Sequence, residues 1–218
     1  MSEQPGRLHV ITDTVLQTGR THAEIARLAL EGGADTIQYR EKRPLVTREL
    51  MVDAAAVLAT CRAAHALAIV DDRVDVAFAV GATGLHLGRH DLPVDAARRI
   101  LGPAAIIGGT ANSLEEARTV WLQPIDYLGV GPVFGTSSKA NPAPVLGLAA
   151  LAAIAAESPV PVIAIGNITP DRVADVLAAG AYGIAVLSGV TCADDPRAAA
   201  ARYAANIRAF LSGTGAIE

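Results

Sequence analysis

The chain has 218 residues, is 51% hydrophobic and 18% charged, and carries a formal net charge of −4 at pH 7. That length suits one domain with one sizeable core better than two domains. The mild acidity, with no basic stripe, excludes nucleic acid as an expected partner. No run of about 18 apolar residues is present to cross a membrane. Residues 1–13 hold no apolar stretch ahead of the first strand, so no secretory signal is expected. Cys61 and Cys192 fall in unrelated contexts, neither a disulfide framework nor a paired metal motif. A cytoplasmic protein is expected.

In chain order, Leu8–Ile11 is a short apolar run that predicts strand one and ends in Thr12-Asp13. Thr21–Glu31 has helical spacing (Ile25, Leu28, Leu30) and stops at Gly32-Gly33. Asp35–Tyr39 predicts strand two, followed by Arg40-Glu41-Lys42, and Val46–Leu67 predicts a long helix. Ala68–Val70 predicts strand three, ending in Asp71-Asp72-Arg73, and the next helix stops at Gly81. Gly84–Leu87 predicts strand four, with Gly88-Arg89-His90-Asp91 after it and Pro93 opening a helix. Ala104–Ile107 predicts strand five, ending in Gly108-Gly109-Thr110-Ala111-Asn112. The segment from Ser113 to Glu116 reads as a capping box. Asp126–Val130 predicts strand six, with a polar loop to Gly147 and a helix over Leu148–Glu157.

The stretch Pro161–Val190 holds a complete strand–helix–strand unit. Val162–Ile165 and Ile184–Leu187 are its apolar runs, each followed by small residues (Gly166-Asn167, Ser188-Gly189). Between them, Thr169-Pro170 opens a helix that ends at Gly180. A last helix spans about Pro196–Leu211. Continuous apolar runs of this length are typical of strands buried on both faces in parallel sheets. Eight strand–helix units in strict alternation predict a single (β/α)8 TIM barrel over residues 1–218. A doubly wound sheet would want fewer strands and a glycine-rich fingerprint after the first.

Barrel chemistry sits at the C-terminal ends of the strands. Strand two offers Gln38, Arg40 and Lys42, whose period of two aims them the same way. Strand three offers Asp71 and Asp72, strand four His86 and Asp91, strand five Thr110 and Asn112, and the strand-six loop Thr136, Ser138 and Lys139. The ends of strands seven and eight present backbone N–H groups suited to a phosphate. Cations beside carboxylates make an anion site with a place for a divalent metal, since Mg²⁺ takes one or two carboxylates and completes its shell with phosphate and water. Two anion sites and a metal predict transfer that displaces diphosphate. Each residue also has an ordinary reading. Arg40 and Lys42 could be a salt-bridged strand end beside Glu41, Asp72 or Asp91 a helix cap, His86 a satisfied core histidine, and Lys139 a solvated loop residue. Their shared position at one rim favours the functional reading.

The strand ends QYREK (Gln38–Lys42), DDRVD (Asp71–Asp75), GLHLGRHDLP (Gly84–Pro93), GVGPVFGTSSK (Gly129–Lys139) and AIGNITP (Ala164–Pro170) resemble those of thiamine phosphate synthases. The resemblance runs from Leu8 to about Leu211. It implies a (β/α)8 enzyme that joins 4-amino-5-hydroxymethyl-2-methylpyrimidine diphosphate to thiazole phosphate, with Mg²⁺ as cofactor, giving thiamine phosphate and diphosphate. It implies that Arg40, Lys42, Asp71 and Lys139 hold the diphosphate, the three cations acting in catalysis, and that Asp72 and Asp91 bind Mg²⁺. Gln38, His86 and Thr110 would lie near the pyrimidine. Thr136, Ser138, Asn167, Leu187 and Ser188 would surround the thiazole phosphate. The implied chemistry is dissociative, with diphosphate leaving before the thiazole nitrogen attacks. The single Trp121 and the apolar helices leave room for a homodimer.

Three departures from the family pattern stand out. Asp71 replaces the usual Asn, so an extra negative charge faces the diphosphate unless a cation such as Arg73 offsets it. Asn167 replaces a frequent Gly, in a turn that Asn tolerates better than most residues. The loop Ala140–Leu146 is proline-rich and lacks further charges. The sister family of thiazole tautomerases is the alternative. Its members use a histidine after strand five, where this chain has Asn112, which has no proton to exchange near neutral pH. A barrel that only binds thiamine precursors is the third reading.

Overall fold

In the computed structural model, which describes residues 4–17, 19–136 and 143–214, eight parallel strands close into a barrel. They are β1 (Leu8–Thr12), β2 (Thr36–Tyr39), β3 (Leu67–Asp71), β4 (Gly84–Leu87), β5 (Ile106–Ala111), β6 (Tyr127–Val130), β7 (Val162–Ile165) and β8 (Gly183–Val186). Each strand pairs with the next, and Leu8 beside Ile184 closes the ring between β1 and β8. The helices are α1 (His22–Glu31), α2 (Thr47–Ala63), α3 (Val74–Val80), α4 (Val94–Leu101), α5 (Leu114–Val120), α6 (Gly147–Glu157), α7 (Val173–Ala178, entered through a 3₁₀ turn at Pro170–Arg172), α8 (Ser188–Thr191) and α9 (Pro196–Thr214). This is the expected (β/α)8 TIM barrel. No helix of the described residues is long and apolar enough to cross a membrane.

The two-residue period of the strands divides the core in two. Val10, Ile37, Val70, Leu85, Ile107, Leu128 and Ile184 join the larger cluster between sheet and helices. Ile11, Ile69, Ile106, Tyr127, Ile163 and Ala185 form a smaller cluster of their own, inside the barrel. The apolar runs of the sequence are continuous because both faces are buried.

Four elements differ from the sequence expectation. Helix α2 ends at Ala63, not at Leu67, because His65 takes a left-handed φ of 54° and the Ala66 N–H reaches back 2.9 Å to the Cys61 carbonyl. That is a Schellman stop with His where Gly usually stands, and it frees Leu67 to open β3. Strand β5 runs from Ile106 to Ala111, not from Ala104 to Ile107, so Gly108 and Gly109 are ladder residues. At α5, Ser113 accepts from the Glu116 N–H at 3.1 Å, but the Glu116 carboxylate reaches the Asn112 N–H at 2.8 Å and does not close the capping box. The short helix α8 was not foreseen and places Leu187 at its N-cap.

Candidate active site

The ends of β1 to β4 meet in one charged cluster. Beyond Tyr39 the β2 ladder stops, and Arg40 and Lys42 project over the ends of β1 and β3. Arg40 pairs with Asp13, buried at the end of β1, and its Nε lies 3.7 Å from Asp71 Oδ2. Lys42 Nζ is 3.4 Å from Asp71 Oδ2 and also pairs with Asp72. Gln38 Nε2 donates to Asp71 Oδ1 at 2.7 Å. The period-two expectation therefore holds: Gln38, Arg40 and Lys42 all reach Asp71. The strand end is salt-bridged, but Glu41 takes no part in those pairs and turns away toward Arg43, His22 and Thr14.

Asp72 has a left-handed φ of 61°, its N–H held by the His86 carbonyl at 2.9 Å. It is not a helix cap. Its carboxylate meets that of Asp91, whose Oδ2 accepts from the Gly88 N–H at 2.7 Å. Burial, then the charge of Asp72, pushes the Asp91 carboxyl up, against the Gly88 N–H and Lys42. Burial works the same way on Asp72, but the hydrogen bond and charge of Lys42, with the bond from Asp91, hold it below the usual range. Two carboxyl groups in contact, from adjacent strand ends, are the oxygen donors a hard divalent cation takes. The charge balance agrees. Among the described residues, Asp13, Asp71, Asp72 and Asp91 face Arg40 and Lys42 here, so added positive charge would favour the entry of a diphosphate. The donor set fits Mg²⁺.

Burial, then the neighbouring Asp72, pushes the Asp71 carboxyl up to about 6, against the pull of Lys42, Arg40 and Gln38. Below that pH Asp71 is mostly a neutral acid of the same shape as asparagine. Above it, Arg40 and Lys42 offset the charge. Arg73, the cation suggested by the sequence, does not. Its guanidinium is engaged with Asp75 at 2.6 and 2.8 Å and with Thr47 at 2.9 Å.

Deeper in the mouth, His86 Nε2 lies 2.8 Å from Thr110 Oγ1 and Nδ1 lies 3.0 Å from Tyr127 Oη. His86 is thus satisfied by polar partners between β4, β5 and β6 and stands half-buried beside the carboxylate cluster. Asn112, the residue that argues against a tautomerase, is tied through Nδ2 to the Gly131 carbonyl.

On the opposite side, Gly166 (φ 114°) and Asn167 (φ 48°) turn the chain after β7, with Asn167 exposed. After β8, the Val190 and Thr191 N–H groups return to the Leu187 carbonyl. The first N–H groups of α8, at Ser188 and Gly189, have no partner within the helix. Thr136 is half-buried in the β6 loop. Ser138 and Lys139 lie outside the described residues, as do residues 140–142 of the proline-rich loop.

Sequence reasoning missed Asp13, Tyr127 and Glu41. Asp13 reads as the ordinary polar end of a strand and Tyr127 as core. Only the register, which sets Tyr127 beside Gly108, shows why the ring reaches His86. Among the described residues one set has the spacing of three metal ligands, His22, Glu41 and Asp53, with ligand atoms within 4.8 Å. Arg43 already supplies its positive charge, bonded to Glu41 and 3.6 Å from Asp53.

A family model described as thiamine monophosphate synthase matches residues 8–190. The chain belongs to that family. It is similar to the thiamine-phosphate synthase of Salinibacter ruber, 52% identical over 94% of this chain and 90% of that one. It is also similar to that of Methanoculleus marisnigri, 49% identical over 88% and 91%. Among solved structures, the thiamine phosphate pyrophosphorylase from Pyrococcus furiosus superposes with a TM-score of 0.85 at 41% identity, over 94% of this chain and 96% of that one. The family is thus established over the whole barrel rim, since the matched residues hold every strand end described above.

Proposed function

We propose that the protein is a thiamine phosphate synthase that joins a pyrimidine diphosphate to a thiazole phosphate across the mouth of the barrel. The observation that carries this reading is the meeting of Arg40 and Lys42 with Asp71, Asp72 and Asp91 at one rim, in a chain of this family. Arg40 and Lys42, with Lys139, bind the diphosphate and stabilise its departure through charge-assisted hydrogen bonds. Gln38, His86 and Thr110 orient the pyrimidine. Asn167, Leu187 and Ser188, with Thr136 and Ser138, hold the thiazole phosphate, largely through backbone N–H groups. Asp72 and Asp91 hold Mg²⁺, which supplies positive charge to the leaving diphosphate.

The test is a coupled assay with both substrates and Mg²⁺. Asp72→Asn is the cleaner variant, because Asn tolerates the left-handed backbone of residue 72 that Ala would strain. Metal-dependent formation of thiamine phosphate, lost in Asp72→Asn, supports the reading. Folded protein that yields no product overturns it. Isomerisation of a thiazole carboxylate phosphate would then point to the tautomerase.

A further inference from the structure

Glu41 stands in sequence between the two cations of the diphosphate site, yet its side chain is 1% exposed and turned away from them. Its Oε2 accepts from Thr14 Oγ1 at 3.0 Å, from Arg43 Nε at 2.7 Å and from Arg43 Nη2, and lies 3.2 Å from His22 Nε2. Its Oε1 accepts from the Arg43 N–H at 2.7 Å. An ionised carboxylate only accepts, so the His22 Nε2 carries the proton it gives to Glu41. His22, the first residue of α1, is held in turn by Thr12 Oγ1, 2.7 Å from Nδ1. One carboxylate therefore ties the exit of β2 to the loop after β1 and to the start of α1.

The tie matters because of where the ladder ends. Tyr39 is the last residue of β2, and residues 40–46 form no regular element. Nothing in the sheet dictates that Arg40 and Lys42 keep pointing to the same side.

We propose that Glu41 is a positioning residue for the diphosphate site: anchored by His22, Thr14 and Arg43, it clamps the strand exit so that Arg40 and Lys42 on either side of it face the anion. This rests on the reading of Arg40 and Lys42 as diphosphate ligands. Glu41 touches neither substrate. Its effect falls on one substrate only, because the thiazole phosphate is held across the barrel by β7 and β8.

The experiment compares Glu41→Gln, which keeps the shape and removes the charge, with Arg43→Gln, which cuts the same tie at a residue 44% exposed that burial does not constrain. Steady-state kinetics give KM for each substrate, and calorimetry gives the affinity for inorganic diphosphate with Mg²⁺. In Glu41→Gln the pyrimidine diphosphate KM and the diphosphate Kd should rise about tenfold, with the thiazole phosphate KM within about twofold. Arg43→Gln should move the same two quantities in the same direction by less. A general loss of structure would move both KM values together, and that result overturns the clamp. Unchanged diphosphate affinity in folded Arg43→Gln and Glu41→Gln also overturns it. If Glu41→Gln does not fold, Arg43→Gln decides alone. Failure of the unmodified protein to bind diphosphate would overturn the ligand reading, and the clamp with it.

Discussion

Gly108 stands beside Tyr127 in the β5–β6 ladder, and a Cβ built on Gly108 would lie 2.1 Å from the Tyr127 Cζ. The ring lies across the space the glycine leaves, fully buried, and its hydroxyl reaches His86 Nδ1 at 3.0 Å. A second glycine continues the arrangement, since a Cβ at Gly129 would come within 2.9 Å of His86 Cε1. The glycine-rich stretch of β5 is thus a seat for the histidine at the base of the site.

Gly108→Ala should therefore displace the Tyr127 ring, costing about 1–3 kcal/mol as overpacking, and loosen His86. Tyr127→Phe keeps the ring and removes the hydroxyl, at about 1 kcal/mol. Urea unfolding of both variants, beside the pyrimidine diphosphate KM, checks this. A Gly108→Ala protein as stable as the unmodified one would show that the ring does not lie there.

Arg40 and Lys42 should separate in stability while agreeing in activity. Arg40 is 14% exposed and paired with an Asp13 that is 1% exposed, whereas Lys42 is 39% exposed. Removing one partner of a buried pair leaves an uncompensated charge and costs about 3–5 kcal/mol, while a half-exposed pair is worth about 1 kcal/mol or less. Arg40→Ala should lower the thermal midpoint far more than Lys42→Ala, and both should lose most turnover. Equal midpoints would contradict the buried pairing with Asp13.

Acid should weaken the fold through His9, which is 1% exposed inside the barrel, with Nε2 3.0 Å from the Gly6 carbonyl. Burial pushes its pKa down from 6.5 to about 4, outweighing the pull of Asp35. The unfolded chain therefore binds the proton first. The contribution of His9 is complete above about pH 6.5 and is lost as pH falls toward 4, by on the order of 3 kcal/mol. His9→Gln has no such group. Its unfolding free energy should fall less steeply than that of the unmodified protein between those pH values, and parallel slopes would remove His9 as the cause.

The barrel was legible in the sequence because each strand is a short apolar run and each run ends in polar or small residues. The cluster of Gln38, Arg40, Lys42, Asp71, Asp72 and Asp91 followed from that pattern once the ends were placed on one rim. What stayed hidden depends on register and on side-chain direction. Gly108-Gly109 reads as the small-residue end of a strand until the Tyr127 ring is seen across it, and His65 looks like a helix residue until its left-handed φ is known. Arg73 seemed available to Asp71, but a two-residue link to Asp75 takes it. Asp13 and Glu41 are acidic residues at strand ends, and only their burial tells them from solvated ones.

The turn after β7 offers the last test. Asn167 sits at φ 48° with its side chain exposed, and its carbonyl accepts from Arg172 Nη1 at 3.1 Å. If the backbone holds the thiazole phosphate, the amide side chain is dispensable. Asn167→Gly should change stability by about 0.5 kcal/mol or less, because relief of the left-handed strain offsets the added chain entropy. Its thiazole phosphate KM should stay the same or fall. Asn167→Val places a β-branched residue in the left-handed region, costing about 1–2 kcal/mol, and should raise that KM by distorting the turn, with the pyrimidine diphosphate KM unchanged. A rise of about tenfold in Asn167→Gly, equivalent to about 1.4 kcal/mol, would mean that the side chain itself grips the phosphate. The departure from glycine would then be a gain of contact and not a tolerated substitution.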